Sequence, residues 1–236
     1  MLEQVSILIP FKGDNGIRSA ALQWVIRFYQ NVIPEAEICI GENSDSFFNR
    51  CKAINAAAEK APRNIFVLAD ADVIYDSDLL IESIHSLEKA QWVIPFNRIL
   101  DLSKEKTEET LKMEPFWPLV FADGNFNEYK IDKMFAGKLN VFTREAFEKA
   151  GRYDERFLGW GFDDDAFLLA MNTLCGQFVS LNRPIYLFWH PYVGADNNPH
   201  YKRNLIRLYR YQLASGNPIK MKKIIQNNRQ GWTKAP

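Results

Sequence analysis

The sequence predicts an α/β fold, a mixed but mostly parallel central sheet flanked by helices, and three observations carry that expectation. Short apolar runs alternate with segments of helical periodicity through the first half of the chain. The runs are nearly continuous rather than alternating in polarity, which is the pattern of strands buried on both faces. Charged or turn-forming residues stand at the carboxyl ends of these runs, where open parallel sheets bind their ligands.

Val5-Ser6-Ile7-Leu8-Ile9-Pro10 is the first strand, stopped by its proline. Ser19 to Val32 repeats Leu22, Val25, Ile26 and Tyr29 at helical spacing and closes at Ile33-Pro34. Glu37 to Gly41 is a second strand, and the Ala-rich stretch Asn49 to Lys60 a helix ending at Ala61-Pro62. Asn64 to Ala69 is a third strand that runs straight into Asp70. Ser77 to Lys89 is helical, with Asp76 or Ser77 as its cap, and Trp92 to Pro95 is a fourth strand. This alternation argues for βαβ units. Beyond it the pattern weakens. Leu102 to Glu114 is charged and poor in large apolar groups, and reads as a surface excursion or mobile loop. Leu139 to Phe142 reads as a strand, Thr143 to Ala150 as a helix capped by Thr143, and Asp163 to Leu174 as a helix with an acidic start. Pro184 to Trp189 reads as a last strand. With neither repeat nor linker, residues 1–236 are expected to form one domain, with halves at about 1–100 and 115–200 and a basic segment over 201–236.

The bulk numbers narrow the function classes. A chain of 236 residues with 47% hydrophobic and 25% charged residues has an ordinary globular composition. No run is long enough to span a membrane and no signal peptide is evident, so a cytoplasmic enzyme is expected. Formal net charge is zero, which gives no overall field toward nucleic acid. Seventeen Phe, nine Tyr and six Trp suit either a dense core or a site that stacks on flat ligands. Cys39, Cys51 and Cys175 are odd in number and widely spaced, so they read as reduced small hydrophobes.

Two acidic clusters and one histidine carry chemistry. Asp70 and Asp72 flank Ala71 just past a buried strand. Two carboxylates there can converge on Mn²⁺ or Mg²⁺, which prefer hard oxygen ligands; as the bland alternative, carboxylates after strands also serve as caps and turn formers. Asp163-Asp164-Asp165 opens a helix behind Gly159-Trp160-Gly161. Crowded carboxylates raise one another's pKa, which can poise a base beside an acceptor hydroxyl, and Trp160 offers a face for a sugar; equally, acidic residues in a first turn simply favour the helix dipole. His190, at the end of the last strand, stands where a further metal ligand would lie, although a lone histidine is more often structural.

Together these segments resemble the glycosyltransferases of the GT-A fold, a Rossmann-like nucleotide-diphospho-sugar transferase architecture. The likeness is to the inverting enzymes that include bacterial family 2, chondroitin-polymerase-like domains and the animal β-1,4-galactosyltransferases. It rests on Ile7 to Lys12, Phe48 to Asn55, Ala69 to Asp72, Gly137 to Asn140, Gly159 to Asp164 and Trp189 to Pro191, in the family's order. The resemblance implies that the first half binds a UDP-sugar and the second binds the acceptor and carries the chemistry. It implies that Pro10, Phe11, Lys12 and Glu42 line the nucleotide, that Phe48 packs on uracil, and that Arg50 pairs with the diphosphate. Asp70 would contact ribose or a metal-bound water, and Asp72 and His190 would ligate Mn²⁺ or Mg²⁺. Gly137 would lie near the donor sugar, and Trp160 would close over it. Asp163 and Asp164 would bind a glycan or glycoconjugate acceptor, with Asp164 favoured as base. Two residues depart from the family pattern: Phe162 replaces a small residue, and Gly137-Lys138 replaces a Gly-Gly pair.

A sugar nucleotidyltransferase, or a non-catalytic sugar-nucleotide-binding protein on the same fold, would share the sheet and the first acidic pair. The basic segment after Asp196 has no acidic residue and carries Lys202, Arg203, Arg207, Arg210, Lys220, Lys222, Lys223, Arg229 and Lys234. It reads as an amphipathic helix packed on the domain, with peripheral contact to an anionic membrane carrying a lipid-linked acceptor, or to a polyanionic acceptor such as DNA, as the alternatives.

Overall fold

The computed structural model describes residues 1–43, 48–119, 126–131, 135–191 and 194–232. In chain order the elements are β1 (Val5–Pro10), α1 (Ile17–Val32), β2 (Glu37–Gly41), α2 (Arg50–Lys60), β3 (Ile65–Ala69), β4 (Val73–Ile74) and α3 (Ser77–Ser86). There follow β5 (Trp92–Ile94), β6 (Arg98–Leu102), α4 (Lys104–Thr110), β7 (Phe126–Lys130), β8 (Leu139–Thr143) and α5 (Arg144–Lys149). The last are α6 (Asp163–Cys175), β9 (Val179–Ser180), β10 (Pro184–Leu187), α7 (Tyr201–Ala214) and α8 (Pro218–Trp232).

The strands form two sheets. A six-stranded sheet has the order β2-β1-β3-β8-β5-β9. It is parallel except for β8, which runs antiparallel to both β3 and β5. All six residues of β1 are buried, as its unbroken apolar run predicts. The second sheet, β4-β10-β6-β7, has only short strands, and the sequence reading contained just one of them, β10. Three of its members are missed for physical reasons. β4 has two residues, Asp101 interrupts the buried Ile99, Leu100 and Leu102 of β6, and β7 is polar and exposed, so none produces a long apolar run.

Most of the aromatic residues belong to the core. The largest fully buried side chains are all aromatic, among them Trp24, Trp92, Phe66, Phe142 and Phe147. Phe142 stacks on Phe147 at 5.5 Å, and both lie against Phe167. Burying one such ring stabilises the fold by about 1.5–3 kcal/mol. Cys39, Cys51 and Cys175 are all free. No helix among the described residues is long and apolar enough to cross a membrane.

One expectation is corrected. The stretch Leu102 to Glu114 is not a loop: Leu102 ends β6, and Lys104–Thr110 is helical. Ser103 caps this helix, its hydroxyl accepting from the Lys106 amide at 3.1 Å. The buried face is made of Thr107 and Thr110 rather than large apolar groups, which hides the periodicity. The last strand also ends earlier than expected, at Leu187.

Candidate active site

The site lies at the carboxyl ends of β1, β2 and β3, and strand pairing brings its distant parts together. β4 follows Asp72 directly and pairs antiparallel with β10, Val73 opposite Leu187. The Phe188 amide then donates to the Asp72 carbonyl at 3.0 Å. This pairing sets His190 beside Asp72, with Nε2 at 3.3 Å from Oδ2. Thr107 fixes the approach, its hydroxyl accepting from the Trp189 amide at 2.8 Å. The helix at first read as a loop therefore positions a candidate ligand.

A second pairing introduces Lys138. β8 runs antiparallel to β3 with Leu139 opposite Ala69, and the ladder continues as the Asp70 amide donates to the Lys138 carbonyl at 2.9 Å. Lys138 has φ +74°, a conformation unfavourable for a side chain with a Cβ. Its Nζ lies 3.6 Å from Asp70 Oδ2 and 3.9 Å from Asp72 Oδ2. The strained backbone thus holds an ammonium between the two carboxylates. Gly137, just before it, is buried, and a Cβ there would meet the Phe135 ring at 2.7 Å.

Arg50 joins the two acidic clusters. It is the first residue of α2, whose N-cap Asn49 accepts from the Lys52 amide at 3.0 Å and donates to the Glu155 carbonyl at 2.7 Å. A cation at the positive end of a helix is unfavourable by itself. Three carboxylates offset it. Nε and Nη2 donate to Asp70 Oδ1 at 3.2 and 2.9 Å, and Nη1 donates to Asp163 Oδ2 at 3.0 Å and Asp164 Oδ1 at 2.8 Å. Tyr153 donates its hydroxyl to the same Asp164 oxygen at 3.1 Å. The resemblance implied that Arg50 pairs with diphosphate; the structure engages it with carboxylates from both halves of the chain.

The electrostatics separate the carboxylates. Burial pushes the Asp72 carboxyl up, but the Lys138 ammonium and the His190 hydrogen bond outweigh it and hold it at about 2. Burial pushes Asp164 up to about 7, aided by the charges of Asp163 and Asp70 and opposed by Arg50. The hydrogen bond to Asp72 raises the His190 imidazole. His190 Nδ1 lies 2.9 Å from the Pro191 carbonyl and 3.0 Å from Arg18 Nη2. Where Nδ1 accepts from Arg18, Nε2 donates to Asp72; where Nδ1 carries its proton toward Pro191, Nε2 faces an ionised carboxylate. Two lone pairs at that distance repel unless a cation stands between them, and either a proton or a metal ion serves.

The segment that leads into Asp163 has a defined shape. Gly159 and Gly161 have φ +66° and +111°, and a Cβ on Gly159 would lie 2.7 Å from Asn198 Oδ1. Both glycines sit in left-handed backbone that a residue with a Cβ rarely adopts. Asn198 donates to the Leu158 and Trp160 carbonyls at 2.9 and 2.7 Å, and Asn204 donates to the Leu158 carbonyl at 3.0 Å. Trp160 is exposed and lies parallel to Tyr201, not against the Arg50 cluster. Phe162 also has positive φ, 73°, and is the N-cap of α6 without a side-chain cap bond.

The remaining predicted residues lie apart from these contacts. Phe11, Lys12 and Glu42 line a cavity of about 300 Å³ with Gly13 and Asn43. Pro10 is buried at the end of β1, opposite Gly41, and Phe48 is half-buried just before the Asn49 cap. Arg18, Thr107 and Tyr153 were not anticipated. Nothing in their local sequence marks them, because each acts through a partner distant in the chain.

No protein-family model matches the chain, and no curated protein sequence matches it. Solved structures do. GalNAc-T7 with UDP, GalNAc and Mn²⁺ superposes with a TM-score of 0.56 at 12% identity, over 96% of this chain and 54% of that one. S. aureus TarS 1-349 with UDP-GlcNAc gives 0.52 at 9% identity, over 94% and 70%. The catalytic domain of Drosophila β1,4-galactosyltransferase 7 with xylobiose gives 0.48 at 18% identity over 76% of this chain, which spans 64% of that domain's chain. The first two carry the assignment of architecture. The chain has the GT-A fold of the nucleotide-sugar glycosyltransferases.

Proposed function

We propose that this protein is an inverting, metal-dependent glycosyltransferase that moves a sugar of galactose, N-acetylgalactosamine or glucose type from a UDP-sugar to a hydroxyl of a glycan or glycoconjugate. The observation that carries the reading is the convergence of Asp70, Asp163 and Asp164 on the single guanidinium of Arg50. It joins a strand-end acidic pair, suited to a diphosphate and its metal, to a carboxylate poised as a base.

Asp164 fills the base role because burial brings its carboxyl to about 7, near the working range of a general base. The acceptor hydroxyl gives its proton to Asp164. Its oxygen bonds to the anomeric carbon as the bond from that carbon to the diphosphate oxygen breaks on the opposite side. The nucleoside diphosphate departs and the configuration inverts. Lys138, already held between Asp70 and Asp72, is placed to neutralise diphosphate charge, and Arg50 stands next to it. Phe11, Lys12 and Glu42 give the nucleotide a cavity at the strand ends.

Asp72 and His190 fit a divalent ion, one oxygen and one nitrogen donor 3.3 Å apart with the carboxyl held ionised. Among the described residues no group of three His, Cys, Asp or Glu gathers, so Asp72 and His190 would hold an ion only together with donors from outside this chain's carboxylates and imidazoles. A bound Mn²⁺ or Mg²⁺ supplies charge neutralisation at the leaving diphosphate. Solved proteins of this fold hold UDP with Mn²⁺ or a UDP-sugar, which agrees with the ligand class.

The test is a panel of UDP-sugars with Mn²⁺ and glycan acceptors, scored by UDP release and product mass. Transfer by wild type, with Mn²⁺ stimulation lost in Asp72→Ala, is expected. Wild-type activity of Asp72→Ala in chelator would overturn the metal assignment. Pyrophosphate release from UTP and a sugar phosphate would overturn the reaction class.

A further inference from the structure

The helix α7 has two faces that ask for different surroundings. Leu208, Tyr211 and Ala214 are buried against the protein. On the opposite side Lys202, Ile206, Tyr209 and Leu213 follow at spacings of four, three and four, which places them in one stripe along the helix. The three apolar members are 59%, 55% and 80% exposed, and Ile219 at the start of α8 adds another at 72%. Single exposed apolar side chains are ordinary, but an aligned row of them is not.

The charges beside the stripe are of one sign. Arg203 and Arg210 are exposed along its flank and Lys202 at its head, and no acidic residue follows Asp196. A second copy docking on this face would bring these cations together, and a polyanion such as nucleic acid would leave Ile206 and Leu213 without a partner. An apolar strip edged by cations matches the interface of an anionic bilayer, whose acyl boundary takes the strip and whose phosphates take the edge.

We propose that α7 is an interfacial helix that docks this protein on anionic lipid membranes, lying flat with Ile206, Tyr209 and Leu213 in the headgroup–acyl boundary. The helix has 14 residues, and its apolar strip from Ile206 to Leu213 is about 10 Å long. The docked helix also carries the turn that leads to Asp163 and Asp164. Asn204 of α7 holds the Leu158 and Gly161 carbonyls, and Tyr201 lies parallel to Trp160. On the glycosyl-transfer reading, on which this last step alone rests, the acceptor is a saccharide presented at the lipid surface.

The experiment is co-sedimentation of the full chain with vesicles of phosphatidylcholine alone and with about one-third phosphatidylglycerol. Stronger binding to the anionic vesicles than to phosphatidylcholine alone is expected, falling toward the phosphatidylcholine level when salt is raised, because only the charged edge is screened. The double variant Ile206→Glu, Leu213→Glu, whose side chains lie outside the core, is expected to keep its melting temperature and lose at least about tenfold in partitioning. Equal partitioning of wild type and variant would overturn the proposal. So would absence of binding to anionic vesicles, or a wild-type dimer that the same variant dissociates. None of these readouts depends on activity, so a failure of the catalytic reading leaves the docking result standing.

Discussion

Replacing Asp164 by Asn tests the base and its environment in one experiment. The substitution keeps size and shape, and Arg50 retains Asp70 and Asp163 as partners. Loss of a positioned base is expected to lower kcat by about 10²–10⁴, or about 3–5 kcal/mol of transition-state stabilisation. Stability should change in the other direction. The folded state favours the protonated carboxyl, up at about 7 against an ordinary 3.8, so it binds more protons than the unfolded chain between those values. Wild type therefore keeps this contribution below about pH 4 and loses it as pH rises through 7, whereas the amide does not titrate. The shift of about three units sets an upper limit near 4 kcal/mol, and the side chain's 29% exposure screens this to about 2 kcal/mol. For a chain of this size that is about 4–8 °C in melting temperature. The assay is a thermal melt of both proteins from pH 4 to 8, beside pH–rate profiles of UDP release. Wild-type rate should rise through pH 7, and the variant should gain melting temperature relative to wild type between about pH 4 and 7 and keep that gain above it. Parallel melting curves together with an unchanged pH–rate profile would refute both the burial and the role.

Three further substitutions probe the surrounding contacts. Tyr153→Phe removes the hydroxyl that favours ionised Asp164, and should move the alkaline rise of the pH–rate profile up by about one unit. Lys138→Ala frees Asp70 and Asp72 of their resident cation, so Mn²⁺ affinity of the ligand-free protein, followed by Mn²⁺ EPR, should rise about tenfold or more while affinity for UDP falls. An unaltered Mn²⁺ isotherm would show that the ammonium does not compete there. Gly159→Ala places a Cβ against Asn198 at positive φ, and should cost about 1–3 kcal/mol in denaturant titrations, with Trp160 emission altered. Wild-type stability in that variant would mean the turn is not held as described.

The first half of the fold is legible because β1, β3 and β5 are buried on both faces and advertise themselves as apolar runs. Asp76 and Thr143 were readable as caps for a local reason, since an N-cap bonds only to its own first turn. Of the second sheet only β10 was legible, as the apolar run from Pro184. β4 has two residues and is defined by its pairing with β10, β6 has its buried Ile99, Leu100 and Leu102 broken by Asp101, and β7 is polar and exposed. The same division runs through the site. Asp70, Asp72, Asp163, Asp164 and His190 stand out as residue types at element ends. Their alliances do not, because Lys138 reaches Asp70 through a strand register and Thr107 reaches Trp189 through tertiary packing. Arg50 shows the limit best: its position was read, but its partners lie 20, 113 and 114 residues away.

The pairing of β4 with β10 has a consequence for how the molecule is made. Val73 waits for Leu187, and Asp72 for His190, across more than a hundred residues of intervening chain. During synthesis, the β1-β2-β3 layer with its apolar runs can collapse well before that point. Asp70 and Asp72 then stand at the strand ends without His190, Lys138 or Asp163. A ribosome-bound chain stopped short of β10 should therefore be compact yet unable to retain Mn²⁺ and UDP together. Competence arrives late and at one step, when the final strands lock the two ends of the sequence to each other.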